Sequence, residues 1–342
     1  MNWLSNKNRP IIIAEAGVNH CGSLQMALEM VDKAAVAGAD YVKFQTFKTS
    51  SLVTGDAASA EYQKKNGASS SQAEMLQQLE LSYSDFITLA ERCKAKGIGF
   101  LSTPFDNDSI DFVASLHPDF MKVPSGEITN LPYLRKMAVT GIPMIISTGM
   151  STFDIIQEAL DVFFSFGYTR EKIILLHCNT QYPTPLGDVN LNAMTAMEKH
   201  FGIRCGYSDH TEGLLVSLAA TALGAAVIEK HFTLDPDLEG PDQKTSLSPM
   251  MLNKMVYGIK MVTLALGSYE KFISRSEKEN LNAARKSIVA ARHIAKGEVF
   301  SELNITTKRP GSGLSPMLWD SVIGKRAERD YNPDDFIEMP AY

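Results

Sequence analysis

Eight short apolar runs recur along the chain, at 11–16, 41–45, 98–103, 120–123, 143–148, 173–178, 204–208 and 226–231. Helical spacing follows them. After the first run, Leu24, Ala27, Leu28, Val31, Ala34 and Ala35 line one helical face, and Gly38 stops that helix. The segment 89–96 ends at Gly97, and Ile155, Ala159, Val162 and Phe163 keep helical spacing ahead of Gly167. Strands alternating with helices are the pattern of βαβ units and a parallel sheet. Eight such units predict an α/β fold closed into a (β/α)8 TIM barrel, because eight is the strand number at which side chains fill the interior. The rival is an open sheet with extra strands.

One βα connection, from Thr46 to Ser82, is unusually long and carries Ala57-Ala58-Ser59-Ala60 and Ala68-Ser69-Ser70-Ser71-Gln72. Loops of that length are lids or hold small helices of their own. Beyond Leu266-Gly267-Ser268 the periodicity weakens through a charged stretch. The sequence therefore divides into a barrel at 1–268, a linker at 269–285 and a small β-rich domain at 286–342, where turn residues break up very short strands.

A chain of 342 residues is long enough for two domains. Its 33 basic against 39 acidic residues give a net charge of −6, without the basic face that a nucleic-acid surface needs. The start, Met1 to Lys7, has no apolar signal core. The greasiest stretch, 213–228, is 16 residues long and interrupted by Ser217, Thr221 and Gly224, short of the ~20 needed to span a bilayer. These features predict a cytoplasmic protein with no nucleic-acid or membrane partner. Cys21, Cys93, Cys178 and Cys205 are too far apart for a zinc ribbon or redox pair and read as reduced thiols.

Barrel enzymes gather their reactive groups at the C-terminal strand ends. Read in order, those ends supply Glu15, then Lys43 and Gln45, Ser102 and Thr103, Lys122 with Ser125 and Glu127, and Ser147 with Thr148. The sixth supplies His177, Asn179, Thr180 and Tyr182, the seventh Ser208-Asp209-His210 and the eighth Glu229-Lys230-His231. Every strand thus finishes on a group that can ligate, donate or move a proton. His210 and His231 belong to neighbouring strands, so their imidazoles can share a metal with open positions; otherwise each is a hydrogen-bonded shelf residue. His177, earlier in its strand, reads as core, and His20, His117, His200 and His293 fall in loops or helix ends with no role. Lys43 and Lys122, with Thr103, Ser125 and Ser147, make a cationic bowl for phosphate or carboxylate. Glu15 and Glu127 suit acid/base work or a sugar hydroxyl, or else pair with neighbouring lysines.

The strings Ala14-Glu15-Ala16-Gly17-Val18-Asn19-His20, Lys43-Phe44-Gln45-Thr46, Ser102-Thr103-Pro104-Phe105, Pro124-Ser125-Gly126-Glu127, Ser147-Thr148-Gly149-Met150, Ser208-Asp209-His210-Thr211 and Glu229-Lys230-His231-Phe232-Thr233 resemble the bacterial sialic acid (nonulosonate) synthase family. The likeness continues through Gly240-Pro241-Asp242 and Lys308-Arg309-Pro310-Gly311 and so covers nearly the whole chain. It implies condensation of phosphoenolpyruvate with an N-acetylated mannose-type sugar, with release of phosphate. It also implies a C-terminal antifreeze-like (SAF) domain and a domain-swapped homodimer in which Arg309 contacts the acetamido group of sugar in the partner's barrel. His210 and His231 match the family's ligands for a divalent metal, usually Mn2+, with Mg2+ or Co2+ as alternatives. Lys43, Thr103, Lys122, Ser125, Ser147 and Ser208 match phosphoenolpyruvate positions; Glu15, Gln45, Glu127 and Asp242 match sugar-side or acid/base positions.

Within the family, the segments from Asn179 to Pro185, including Tyr182, and from Pro124 to Pro132 are most similar to the legionaminic acid synthase branch. That branch uses 2,4-diacetamido-2,4,6-trideoxymannose. The sialic acid branch, the alternative, uses N-acetylmannosamine. Gln243 departs from the histidine that often follows Gly-Pro-Asp in the legionaminic branch, which bears on the sugar and not on the reaction. A reading of another class makes the chain a non-catalytic sugar-binding protein, which would release no phosphate from phosphoenolpyruvate.

Overall fold

The computed structural model of the protein describes residues 9–53 and 72–339. Residues 1–7 and the Ala/Ser-rich stretches at 57–60 and 68–71 lie outside the described residues. The chain forms two compact units, divided after Gly267.

The first unit holds eight parallel strands: β1 (Ile11–Gly17), β2 (Tyr41–Thr46), β3 (Gly99–Pro104), β4 (Met121–Val123), β5 (Met144–Ser147), β6 (Ile173–His177), β7 (Cys205–Asp209) and β8 (Val227–His231). Hydrogen-bonded neighbours run in the order β3-β2-β1-β8-β7-β6-β5-β4. The two ends of that order, β3 and β4, lie side by side and bring the sheet round into a TIM-like near-barrel. All eight strands stand where the apolar runs predict them, with ends moved by a residue or two. Parallel strands covered on both faces must be apolar on both, and so their signal in the sequence is strong.

The helices are α1 (Leu24–Ala37), α2 (Thr49–Leu52), α3 (Gln72–Leu79), α4 (Tyr83–Lys96), α5 (Asn107–Ser115), α6 (Leu131–Val139), α7 (Phe153–Ser165), α8 (Asn192–Phe201), α9 (Leu215–Ala222) and α10 (Pro249–Leu266). Their ends follow capping chemistry. Ser23 caps α1 by accepting from the Met26 amide, and Gly38 ends it in the left-handed region at φ 84°. Ser82 and Asp85 form a capping box on α4. The long connection after β2 carries the short helices α2 and α3.

Inside the barrel, alternate residues of each strand point inward. Ile11, Ile13, Leu101, Phe120, Ile145, Ile174, Leu176 and Val227 fill the lower layers as an apolar plug. Gly99 makes room there: a Cβ would fall 2.1 Å from the Tyr41 ring. The next inward positions up each strand are polar, and they form the floor of the mouth.

In the second unit, β9 (Ser287–Ala290) and β10 (Ile305–Lys308) pair antiparallel around a core that includes Ile288, Ile294, Phe300, Ile305, Val322, Tyr331 and Ile337. The segment read as a linker contains two single-turn helices, Arg275–Lys278 and Leu281–Ala284, the first closed by a Ser274–Glu277 capping box.

Candidate active site

The apolar plug ends where Glu15, Lys43, Thr103, Lys122, Ser147, Ser208, Glu229 and His231 begin. The inward parity of β1 makes this concrete: Ile11 and Ile13 lie in the plug, and Glu15 is the next inward residue. A register shift between Glu15 and Gly17 against β2 bends the end of β1 at this point. Gly17 takes up the left-handed region at φ 54°, where a side chain would be strained, and a Cβ there would press on Gln45 Nε2 at 3.3 Å.

These groups enclose a cavity of about 250 Å³ at the C-terminal strand ends. Eleven of the fifteen residues singled out from sequence as site candidates line it: Glu15, Lys43, Gln45, Thr103, Lys122, Ser125, Ser147, Tyr182, Ser208, His210 and His231. The other four stand elsewhere. Glu127 sits in the 3-10 turn after β4, where Asn130 Nδ2 donates to its carboxylate at 2.6 Å. Asn179 offers the site its backbone carbonyl, while its side chain accepts from the Gln181 amide. Asp242 is buried behind His231, 3.8 Å from Nδ1. Arg309 is exposed in the second unit, just after β10.

The ionic core is built from both lysines. Lys43 Nζ lies 2.8 Å from Glu15 Oε2 and 3.5 Å from Glu229 Oε2, and donates to Thr103 Oγ1 at 3.1 Å. Lys122 Nζ donates to Ser147 Oγ at 2.7 Å and is 3.9 Å from Glu229 Oε1. Ser208 Oγ donates to Glu229 Oε1 at 2.9 Å. Burial lifts Glu15 to about 7, against the pull of Lys43. Glu229 resists the same burial because Lys122 and Lys43 flank it, and it stays well below the ordinary carboxylate range. Burial lowers Lys122, whereas Glu15 and Glu229 outweigh burial at Lys43 and raise it.

Glu229 is the central residue that sequence reasoning left without a role. The signal was available in strand parity, since it stands two positions before His231 and two after the plug residue Val227. Phe105, Cys178 and Thr180 also line the cavity. Cys178 Sγ lies 3.3 Å from Ser125 Oγ, and Ser125 Oγ accepts from the Gly149 amide.

The two imidazoles face each other with ring centroids 5.4 Å apart. His210 Nδ1 donates to the Asn179 carbonyl, so Nε2 carries the lone pair and accepts from the Tyr182 hydroxyl at 3.0 Å. Burial pushes His210 down to about 4 and holds His231 well below its ordinary value, with His210 and Lys43 adding to the effect. Both rings are therefore neutral, the form in which imidazole binds a metal. His231 Nδ1 is buried and makes no hydrogen bond among the described residues. No third His, Cys, Asp or Glu among the described residues closes a cluster with the pair. Two neutral imidazoles with open positions fit a divalent ion of the catalytic type.

His20 stands in the turn after β1, as its sequence reading has it, and outside the cavity lining. It is fully buried, burial lowers it to about 4, and its Nδ1 accepts from the Gly22 amide at 3.1 Å. Gln243, the departure from the branch pattern, is also buried and outside the cavity lining. It donates to the Asn19 carbonyl at 3.0 Å and to Cys21 Sγ at 3.2 Å and accepts from the Thr233 hydroxyl, bracing the β1 loop against the β8 loop.

Buried ammonium and hydroxyl groups gathered at the C-terminal mouth of a TIM-like barrel place the chain among the TIM-barrel enzymes. Within that class the chain belongs to the NeuB family, whose model matches residues 30–271, while the SAF domain model matches residues 285–340. The chain is 48% identical to the N,N'-diacetyllegionaminic acid synthase of Campylobacter jejuni over 96% of its own length and 99% of the relative's. It is 45% identical to the Legionella pneumophila enzyme of the same name, over 92% and 89%. Among solved structures it resembles the N-acetylneuraminic acid synthetase of Leptospira borgpetersenii, with a TM-score of 0.71, 32% identity, and coverage of 82% of this chain and 94% of that one.

Proposed function

We propose that the protein condenses phosphoenolpyruvate with 2,4-diacetamido-2,4,6-trideoxymannose to give legionaminic acid, in its N,N'-diacetyl form, and inorganic phosphate. The observation that carries this reading is the convergence of Lys43 and Lys122, each with its own hydroxyl partner, on one buried cavity that also faces the His210–His231 pair. The name of the Campylobacter relative supports the choice of sugar.

The lysines take the carboxylate and phosphate of the enol ester, assisted by Thr103, Ser125, Ser147 and Ser208. Held so, its C3 can be brought against the aldehyde carbon of the open-chain sugar. A divalent ion on His210 and His231, Mn2+ by family resemblance with Mg2+ or Co2+ as alternatives, would polarise that aldehyde. The C2=C3 electron pair forms the new carbon–carbon bond, and the aldehyde oxygen gains a proton. Water then adds to C2 and loses one proton, giving a tetrahedral carbon that bears both hydroxyl and phosphate; phosphate leaves with the C2–O bonding pair and takes up the remaining hydroxyl proton, so that C2 becomes the ketone. Glu15, at about 7, can hold or release a proton at neutral pH and lies on the cavity floor.

The resemblance further supports a domain-swapped homodimer in the cytoplasm, with Arg309 on the sugar's acetamido group across the dimer. No helix among the described residues is long and apolar enough to cross a membrane.

The test is phosphate release with phosphoenolpyruvate and Mn2+, comparing the diacetamido-trideoxy sugar with N-acetylmannosamine. A kcat/KM preference of at least about tenfold, or ~1.4 kcal/mol, for the former is expected. Preference for N-acetylmannosamine would assign the sialic acid branch, and no release with either sugar would overturn the reaction.

A further inference from the structure

Glu229 poses an electrostatic problem. It is a buried carboxylate on the floor of an anion site, between the two ammonium groups that attract the substrate. There it repels both the carboxylate and the phosphate of phosphoenolpyruvate. Packing does not require the charge, because a glutamine of the same shape would still accept from Ser208.

The geometry and the reaction together give the charge a purpose. In phosphoenolpyruvate, C2 bears both the carboxylate and the phosphate ester. If Lys43 and Lys122 each take one of these groups, C2 falls between the two ammonium groups, toward the position that Glu229 occupies. In the ground state C2 carries no positive charge. When the C2=C3 pair moves into the new bond, C2 becomes cationic, sharing the charge with a lone pair of the ester oxygen until water adds. A fixed carboxylate there is unfavourable to the bound substrate and favourable to the transition state, the difference that accelerates a reaction.

We propose that Glu229, standing between Lys43 and Lys122, is the electrostatic partner of the developing cation at C2. This rests on the reaction assigned above and adds to it a residue that acts through charge.

The experiment begins with the wild-type enzyme, whose failure to release phosphate would overturn the assigned reaction before Glu229 is at issue. Glu229→Gln is then measured for kcat and, by calorimetry without sugar, for phosphoenolpyruvate affinity. The expected result is a fall in kcat of about 100-fold with affinity unchanged or improved up to about tenfold. A kcat within about threefold of wild type, or an affinity loss that matches the loss in kcat, overturns the proposal, since a merely structural role would loosen the lysines and weaken binding. Glu229→Asp, which keeps the charge, should retain at least about tenfold more kcat than Glu229→Gln. Should Glu229→Gln not fold, the wild-type enzyme decides. A phosphonate analogue with an ammonium at the C2 position should bind at least about tenfold tighter than its uncharged isostere, and equal binding overturns the proposal.

Discussion

Lys43 Nζ lies 2.8 Å from Glu15 Oε2, with both side chains sealed into the barrel mouth. A cation at that distance ordinarily keeps a carboxyl acidic. Here burial is the larger effect, and Glu229 adds to it, so that Glu15 rises to about 7 despite Lys43. A group placed on this balance exchanges its proton at neutral pH, which an exposed glutamate would not do.

The balance has a consequence for stability. The ordinary value of Glu15 is 4.5, so between there and about 7 the folded chain keeps a proton that the unfolded chain has released. The stability contributed by the neutral carboxyl is complete below 4.5 and is lost as pH rises through about 7. The melting temperature of the wild type should therefore fall relative to Glu15→Gln across that window. Paired thermal melts between pH 4.5 and 8 check this, and a gap that moves in the wild type's favour as pH rises contradicts the assignment.

Lys122 and Ser147 offer a graded test of the anion site. Lys122→Met keeps the aliphatic stem and removes a charged donor, whose hydrogen bonds are worth about 1.5–3 kcal/mol. The KM for phosphoenolpyruvate should rise at least about tenfold. Ser147→Ala removes a neutral partner worth about 0.5–1.5 kcal/mol and should cost less than Lys122→Met. Initial rates with phosphoenolpyruvate varied give the order, and equal effects from the two variants would argue against a direct role for the ammonium.

The paired imidazoles predict a metal dependence that can be read without turnover. Wild-type protein stripped with a chelator should bind Mn2+ in a calorimetric titration, and saturation at about 100 times Kd should stabilise the fold by about 2.7 kcal/mol. His210→Ala and His231→Ala should each lose that heat and that stabilisation while melting cooperatively. Full phosphate release by chelator-treated wild type would remove the assignment.

The eight strands were legible because burial on both faces leaves apolar runs that few other elements produce. Most of the mouth was legible too, since a residue at a strand's C-terminal end needs only its strand to be found. What escaped depended on side-chain direction or distant packing. Glu229 is named at the end of the eighth strand but carries no role of its own there, although its parity puts it on the cavity floor. Glu127 was counted as a strand end, but the 3-10 turn at Ser125–Glu127 turns it toward Asn130. The burial of His20 is not legible either, because nothing near it in sequence covers it. Its loop is held by contacts 213 to 227 residues away, with Asn19 Nδ2 donating to the Phe232 carbonyl and Ser246 Oγ, and Gln243 donating back to the Asn19 carbonyl.

Asp209 and Lys230 alternate with the inward residues of β7 and β8 and so point away from the cavity. Both are fully buried, with Lys230 Nζ 3.2 Å from Asp209 Oδ1 and also donating to the Thr211 carbonyl. Asp209 accepts further from the Thr211 amide and hydroxyl and from Ser217 Oγ on α9. The pair joins the two strands that carry His210 and His231. Lys230→Met leaves a buried carboxylate without its cation, and removing one partner of such a pair costs about 3–5 kcal/mol. Adding Asp209→Asn removes the stranded charge while an amide still meets Thr211 and Ser217, so the double variant should recover most of that loss. Urea midpoints of the wild type, the single variant and the double variant measure the effect. A double variant no more stable than Lys230→Met would show that the cost comes from lost lysine packing and not from the charge left behind.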